Sequence, residues 1–329
     1  MRRRTIVETA EKQVHGEARS LGGAALTETP QRPPYFSLET SKGLFIVKTI
    51  MMRRILLCTD GSVYSAVTAD YAFWLAKRLG SQVTALYVTD IRQLEWPLLA
   101  DLSGSIGAQP YQAMLSQMQQ YHKDKARVIL DSVTQMAAKR GLECRAIHQT
   151  GRLIESVLEE EKQADLVVLG QRGENAEQSG DMMGSSVERI VRRSVKPCLV
   201  TPGKFVAISN ILAAYDGSPG ANHALHQAFD LASVLGVPLT LVTVTADDRL
   251  RAAATLEEGV ALGKKQSVAA RQVVLEGHAE TEILRFAERE RMDLIVMGAY
   301  GHTRVREFIL GSTTSHVIRK SHVPVLLTR

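Results

Sequence analysis

The sequence predicts an α/β fold made twice: two tandem domains, each a five-stranded parallel sheet with helices on both faces. Three observations carry this expectation. Short apolar runs alternate with amphipathic stretches, the pattern of strands joined by crossover helices. The apolar runs are continuous, as strands covered on both faces should be. The chain also repeats itself: RRILLCTDGSVYSAVTADYAFWLAKRLGSQVTALYVTD from Arg53 parallels SNILAAYDGSPGANHALHQAFDLASVLGVPLTLVTVTAD from Ser209. The later segments ADLVVLGQRG…GSSVERIVRRSVKPCLVTP and MDLIVMGAYG…GSTTSHVIRKSHVPVLLTR parallel each other as well. A repeat of about 155 residues is too long for a solenoid unit, so a whole domain is duplicated.

In chain order, residues 1–52 come first, with mixed charge, a Pro33-Pro34 pair and no sustained period. They lack the apolar core of a secretory signal, and their glutamates argue against a transit peptide. They read as a flexible extension, or as a leader ahead of a start at Met51 or Met52. The first domain is expected over 53–203 and the second over 208–329. First-domain strands are expected at Ile55–Thr59, Gln82–Val88, Glu143–His148, Leu166–Leu169 and Cys198–Thr201. Second-domain strands are expected at Ile211–Tyr215, Pro238–Val244, Arg271–Leu275, Leu294–Met297 and Val325–Thr328. Ser62 and Ser218 stand where helix caps belong, and Pro219 suits a first helical position. The copies differ after the second strand. The first carries a long Met-rich helical stretch within Ile91 to Arg140, read as packing surface rather than a cofactor box; the second has the shorter Arg249 to Lys265.

Composition narrows the function classes. At 329 residues, 45% hydrophobic and 23% charged, the chain has material for two ordinary cores. Aromatics at 5% mean that Val, Leu, Ile and Ala fill them. A net charge of +5 is mild, and no basic-aromatic module or helix-turn-helix spacing accompanies it, so nucleic acid is not an expected partner. The cysteines, Cys58, Cys144 and Cys198, have no C-x-x-C pairing and no metal-ligand spacing, which reads as reduced thiols in a cytoplasmic protein. No run approaches the roughly 18 apolar residues of a membrane span.

The chemistry concentrates in Gly298 to Ser315, GAYGHTRVREFILGSTTS. It follows the fourth strand of its copy, beyond whose carboxyl end a parallel sheet binds ligands. Glycines let backbone approach a phosphate, and a helix beginning at Gly311-Ser312-Thr313 would aim free N–H groups and a partial positive charge at it. The competing reading is that Ser312 merely caps the helix and the glycines merely turn. No Lys follows the last glycine, which excludes a Walker loop, and the spacing and position differ from the dinucleotide fingerprint.

G-x-x-G, nine residues, then G-S/T, between a strand and the last helix, resembles the ATP-binding signature of the universal stress proteins. The likeness covers nearly everything from Arg53 to Arg329, as two tandem domains. It implies a Rossmann-like, adenine-nucleotide alpha-hydrolase-like fold. By this resemblance Asp216 is the acidic residue on the adenine and ribose side, and Val244 meets the adenine through its backbone. Gly298 and Gly301 line ribose and phosphates, and Gly311, Ser312 and Thr313 form the triphosphate-binding helix start. His302, just inside the loop, is a further candidate for a phosphate oxygen. The matching first-copy positions are Asp60, Val88, Gly170, Gly173, Gly184, Ser185 and Ser186.

The first copy departs from the pattern. Ten residues, not nine, separate Gly173 from Gly184, and they include Glu174, Glu177 and Asp181. The second-copy loop carries Arg304, Arg306 and Glu307 instead. Three carboxylates repel a phosphate chain, with Arg172 as partial compensation, so ATP is expected in the second domain. Hydrolysis would need a base and usually Mg²⁺, and no loop carboxylate of the second copy is an obvious base. Nucleotide-responsive binding in a stress or regulatory module is therefore favoured. The alternatives are a slow ATPase or autophosphorylating enzyme, and a structural adaptor with both sites empty. The resemblance also implies that the last strands of the two domains pair within the chain as a pseudo-dimer. The long helix near Tyr111–Arg140 is a candidate surface for further homodimerisation.

Overall fold

The computed structural model describes residues 52–91, 108–174, 185–263, 268–299 and 310–329. Residues 1–51 of the expected 1–52 extension and the site residues Gly184, Gly301 and His302 lie outside the described residues. The first domain runs β1 (Arg54–Cys58), α1 (Val63–Leu79), β2 (Gln82–Asp90), α2 (Ala108–Ala138), β3 (Cys144–Gly151), α3 (Leu153–Glu160), β4 (Leu166–Gly170), α4 (Ser185–Arg193) and β5 (Cys198–Thr201). The second repeats the order as β6 (Ile211–Ala214), α5 (Pro219–Leu235), β7 (Leu239–Thr245), α6 (Arg249–Gly263), β8 (Ala270–Glu276), α7 (Ala279–Arg289), β9 (Leu294–Gly298), α8 (Ser312–Lys320) and β10 (Val325–Thr328).

Local chemistry sets the element ends. The Ser62 hydroxyl accepts from the Ser65 N–H and caps α1; Ser218 does the same for Ala221 at α5, with Pro219 at the first helical position. Gly80 and Gly236 close the same two helices in the left-handed conformation. The Met-rich stretch does form one long helix, α2, of 31 residues against 15 in α6.

The strand order is β3-β2-β1-β4-β5-β10-β9-β6-β7-β8. Each domain is parallel within itself, but β5 and β10 pair antiparallel, through Val200 with Val325 and Cys198 with Leu327. The two five-stranded parallel sheets expected are halves of one mixed ten-stranded sheet. The in-chain pairing of last strands implied by the resemblance is what joins them, and it leaves neither strand as an edge. One correction concerns β3 and β8. They form the outer edges, and their partly exposed residues depart from the both-face burial expected of every strand.

Two apolar layers sandwich this sheet. Tyr71, Phe73, Leu130, Phe229 and Leu256 from α1, α2, α5 and α6 belong to one. Ile154, Ile190, Phe286 and Val317 from α3, α4, α7 and α8 belong to the other. Both layers run unbroken across the two domains, so burial itself holds the halves together.

A carboxylate pins the first strand of each domain. Asp165 accepts from the N–H groups of Arg53 and Arg54 at 3.1 and 3.0 Å and pairs with the Arg54 guanidinium at 3.0 Å. Asp293 accepts from the N–H groups of Ser209 and Asn210, both at 3.0 Å. Burial opposes the charge on Asp165, but the Arg54 contacts outweigh it and hold the carboxyl below its usual range. A lowered folded pKa means that this stabilisation is complete above the unfolded carboxyl value near pH 4 and fades as pH falls through the folded one. Asp165→Asn is therefore expected to cost about 1 kcal/mol at pH 7. In urea unfolding the deficit should shrink towards pH 2; a deficit independent of pH would contradict this role for the charge.

Candidate functional site

The strand order reverses between β6 and β9, since β6 is followed in sequence by β7 on its other side. Beyond the carboxyl ends of these strands lies a cleft of about 240 Å³, where an open parallel sheet binds ligands. Ala214, Val242, Val244 and Met297 from the strands and Ala279 and Ile283 from α7 give it an apolar wall. Asp216, Ser218, Ser312, Thr313 and Thr314 give it a polar one. Of the residues named from the sequence, Asp216, Val244, Gly298, Gly311, Ser312 and Thr313 all converge on this one space.

The Asp-Gly-Ser turn holds the carboxylate in place. Gly217 has φ of 77°, which L side chains rarely adopt. The resulting turn brings the Ser218 N–H to Asp216 Oδ1 at 2.9 Å. Beside it, the Tyr215 hydroxyl donates to Asn222 Oδ1 at 2.7 Å. Burial first, then the carboxylates of Glu258 and Asp216, push the Tyr215 pKa up, so the phenol stays protonated.

At the opposite end, α8 starts at Ser312 with Gly311 as its cap residue. The suggestion that Ser312 caps this helix is thereby corrected, because Ser312 already stands inside the first turn. Helix geometry leaves the first-turn N–H groups without intrahelical acceptors, and Gly311 has no side chain to satisfy them. The Thr314 hydroxyl donates to the Gly298 carbonyl at 3.2 Å and ties the helix start to the end of β9. Gly298 is small for a packing reason as well: a Cβ there would lie 2.8 Å from the Gly220 carbonyl carbon and 2.9 Å from the Ala221 nitrogen.

The first domain holds its matching residues close to its own backbone and to α2. Both Asp60 oxygens are engaged by the chain itself, Oδ1 by the Ser62 N–H at 2.9 Å and Oδ2 by the Glu174 N–H at 2.7 Å. A Cβ at Gly173 would come within 2.6 Å of Asp60 Oδ2, so the turn after β4 lies directly on the carboxylate. The Glu174 side chain pairs with Lys125 of α2 at 2.7 Å, and that hydrogen bond raises the Lys125 pKa. Long α2 also places Ile129 over the turn, where a Cβ on Gly61 would meet it at 2.6 Å. Val88 lies within β2, Gly170 ends β4, and Ser185 and Ser186 open α4.

Sequence reading missed Tyr215, Ser218, Ala279, Ile283, Met297 and Thr314. Ser218 was read only as a cap, and Met297 only as strand; α7 carried no site signal, because its start reaches the cleft through tertiary packing alone. Thr314 belongs to the same hydroxyl run as Ser312 and Thr313 and was the most findable. The cysteines offer no nucleophile: burial pushes Cys144 to about 11 and Cys198 to about 12, and raises Cys58 too. No helix of the described residues is long and apolar enough to cross a membrane.

Known proteins share the sequence pattern and the fold. The model of the universal stress protein family matches residues 51–202 and again 207–329. A universal stress protein of Synechocystis sp. is 37% identical over 287 residues, spanning 84% of this chain and all of the relative. One from Mycolicibacterium smegmatis is 24% identical over 297 residues, spanning 84% of this chain and 96% of the relative. Among solved structures, that of a universal stress protein from Archaeoglobus fulgidus shares the fold with a TM-score of 0.65 at 24% identity, covering 84% of this chain and 96% of the other.

Proposed function

The chain belongs to the universal stress protein family, and from that premise we propose that it is a nucleotide-responsive regulatory module that binds ATP in its second domain. The observation that carries this reading is the joining of Asp216, an apolar wall and a glycine-started helix N-terminus in one cleft. Apolar walls suit a purine ring, the Asp216 carboxylate suits a ribose hydroxyl, and the α8 N–H groups suit phosphate oxygens. The Ser312 and Thr313 hydroxyls add further donors.

The first domain supports the asymmetry. Its Asp-Gly-Ser turn is the more crowded: a Cβ on Gly61 would meet Ile129 of α2 at 2.6 Å, against 3.4 Å from Gly217 to Thr255 of α6. Binding without turnover is the favoured activity. Asp216 is the carboxylate among the described residues lining the cleft, and the ribose role takes it.

Replacing each aspartate tests the assignment. In equilibrium titrations with ATP, Asp216→Asn is expected to weaken binding about tenfold, the worth of one charge-assisted hydrogen bond. Asp60→Asn should stay within about twofold of the parent chain by the same measure. Equal losses in both variants would contradict the asymmetry.

A further inference from the structure

The two domains cap each other's last helices. The turn that follows β4 reads Gly170-Gln171-Arg172-Gly173. The Gln171 backbone N–H donates to the Thr201 carbonyl at 2.9 Å and extends the β4–β5 ladder. Its side chain, only 8% exposed, crosses into the second domain. Nε2 donates to the Ile318 carbonyl at 2.6 Å and the Arg319 carbonyl at 2.9 Å, with the Ser321 carbonyl at 3.4 Å. Ile318 and Arg319 belong to the last turn of α8, whose carbonyls no intrahelical N–H reaches.

The second domain returns the contact with different chemistry. The Arg329 guanidinium donates to the Arg192 carbonyl in the last turn of α4 at 2.5 Å. Ala299 occupies the place of Gln171: its N–H donates to the Thr328 carbonyl at 2.7 Å, and its side chain carries no donor. The glutamine cap thus acts in one direction only, from the first-domain turn to α8. With nine residues, α8 is a rod of about two and a half turns, so its C-terminal seat sets where its N-terminus stands.

We infer that Gln171 is a positioning residue, through which the first-domain turn sets the seat of the helix that faces the second-domain cleft. The turn is fixed at its far side by the Glu174 N–H on Asp60 and the Glu174 carboxylate on Lys125. Two residues, Arg172 and Gly173, therefore separate Glu174 at the acidic site of one domain from the Gln171 lever on the other. The effect on ATP affinity rests on the nucleotide reading above; the effect on the helix does not.

Two variants test it: Gln171→Met, which keeps length and removes the donors, and Glu174→Ala, an exposed change that leaves the core intact. The first readout is hydrogen exchange of the Ser315 amide, bonded to the Gly311 carbonyl at 2.8 Å, in the unliganded full chain. Gln171→Met should speed this exchange about tenfold, and Glu174→Ala should speed it less. The Glu174→Ala effect should vanish when added to Gln171→Met, a non-additivity that simple loss of stability does not produce. Gln171→Lys, which returns donors to the same carbonyls, should restore slow exchange. Exchange within twofold of the parent in Gln171→Met overturns the inference, and the same result in Glu174→Ala does so if the first variant does not fold. Altered Ser315 exchange in a protein that binds no ATP would sustain the coupling while removing the nucleotide reading.

Discussion

Gly311→Val should lower ATP affinity about a hundredfold while leaving the protein folded. At φ −58° and ψ 145°, the Gly311 backbone occupies a region open to any residue. A branched side chain there costs no backbone strain, yet it stands in front of the α8 amides. Losing two charge-assisted contacts to phosphate, each worth about 1.5 kcal/mol at the low end, gives the hundredfold figure. Equilibrium dialysis with labelled ATP reads the loss, and a thermal melt of the same sample checks the fold. An affinity within threefold of the parent would remove the helix start from the site.

Gly298→Val should be the most destabilising substitution in the site. Its Cβ would fall 2.8 Å from one backbone atom and 2.9 Å from another in the first turn of α5, and backbone cannot rotate away as a side chain can. The helix or the strand must shift, at a cost of about 3 kcal/mol or more. The matching change Gly170→Val meets the Thr68 hydroxyl at 2.9 Å and the Arg172 carbonyl at 3.0 Å. One of those two obstacles is a side chain, so its cost should be smaller. Urea unfolding of both variants measures the difference, and the opposite order would contradict the packing account.

The sequence made the strands legible because their residues are apolar in runs, and nearly every strand formed within two residues of where it was read. Ser62 and Ser218 were legible as caps because a cap depends on the residue and its immediate neighbours. Gly311 was not: a glycine cap leaves no side-chain signature, and Ser312 next to it was the more obvious choice. Gly298 was read for ligand approach, and its backbone contact with α5 depends on a helix some eighty residues earlier. Gln171 was the most hidden. In the G-x-x-G pattern it is one of the variable positions, and its partners lie 147 and 148 residues away in the other domain. The Asp60–Glu174–Lys125 contacts were equally hidden, because they join a turn, a strand end and a helix that are far apart in the chain.

The central claim is that one chain holds one nucleotide, and holds it in the second domain. Native mass spectrometry of the purified chain in excess ATP tests this most directly, with Gly311→Val and Gly184→Val run beside the parent. The account expects one adenine nucleotide per chain in the parent, the same in Gly184→Val, and none in Gly311→Val. Nucleotide retained in Gly311→Val and lost in Gly184→Val would reverse the assignment, and a parent chain with none would contradict it outright.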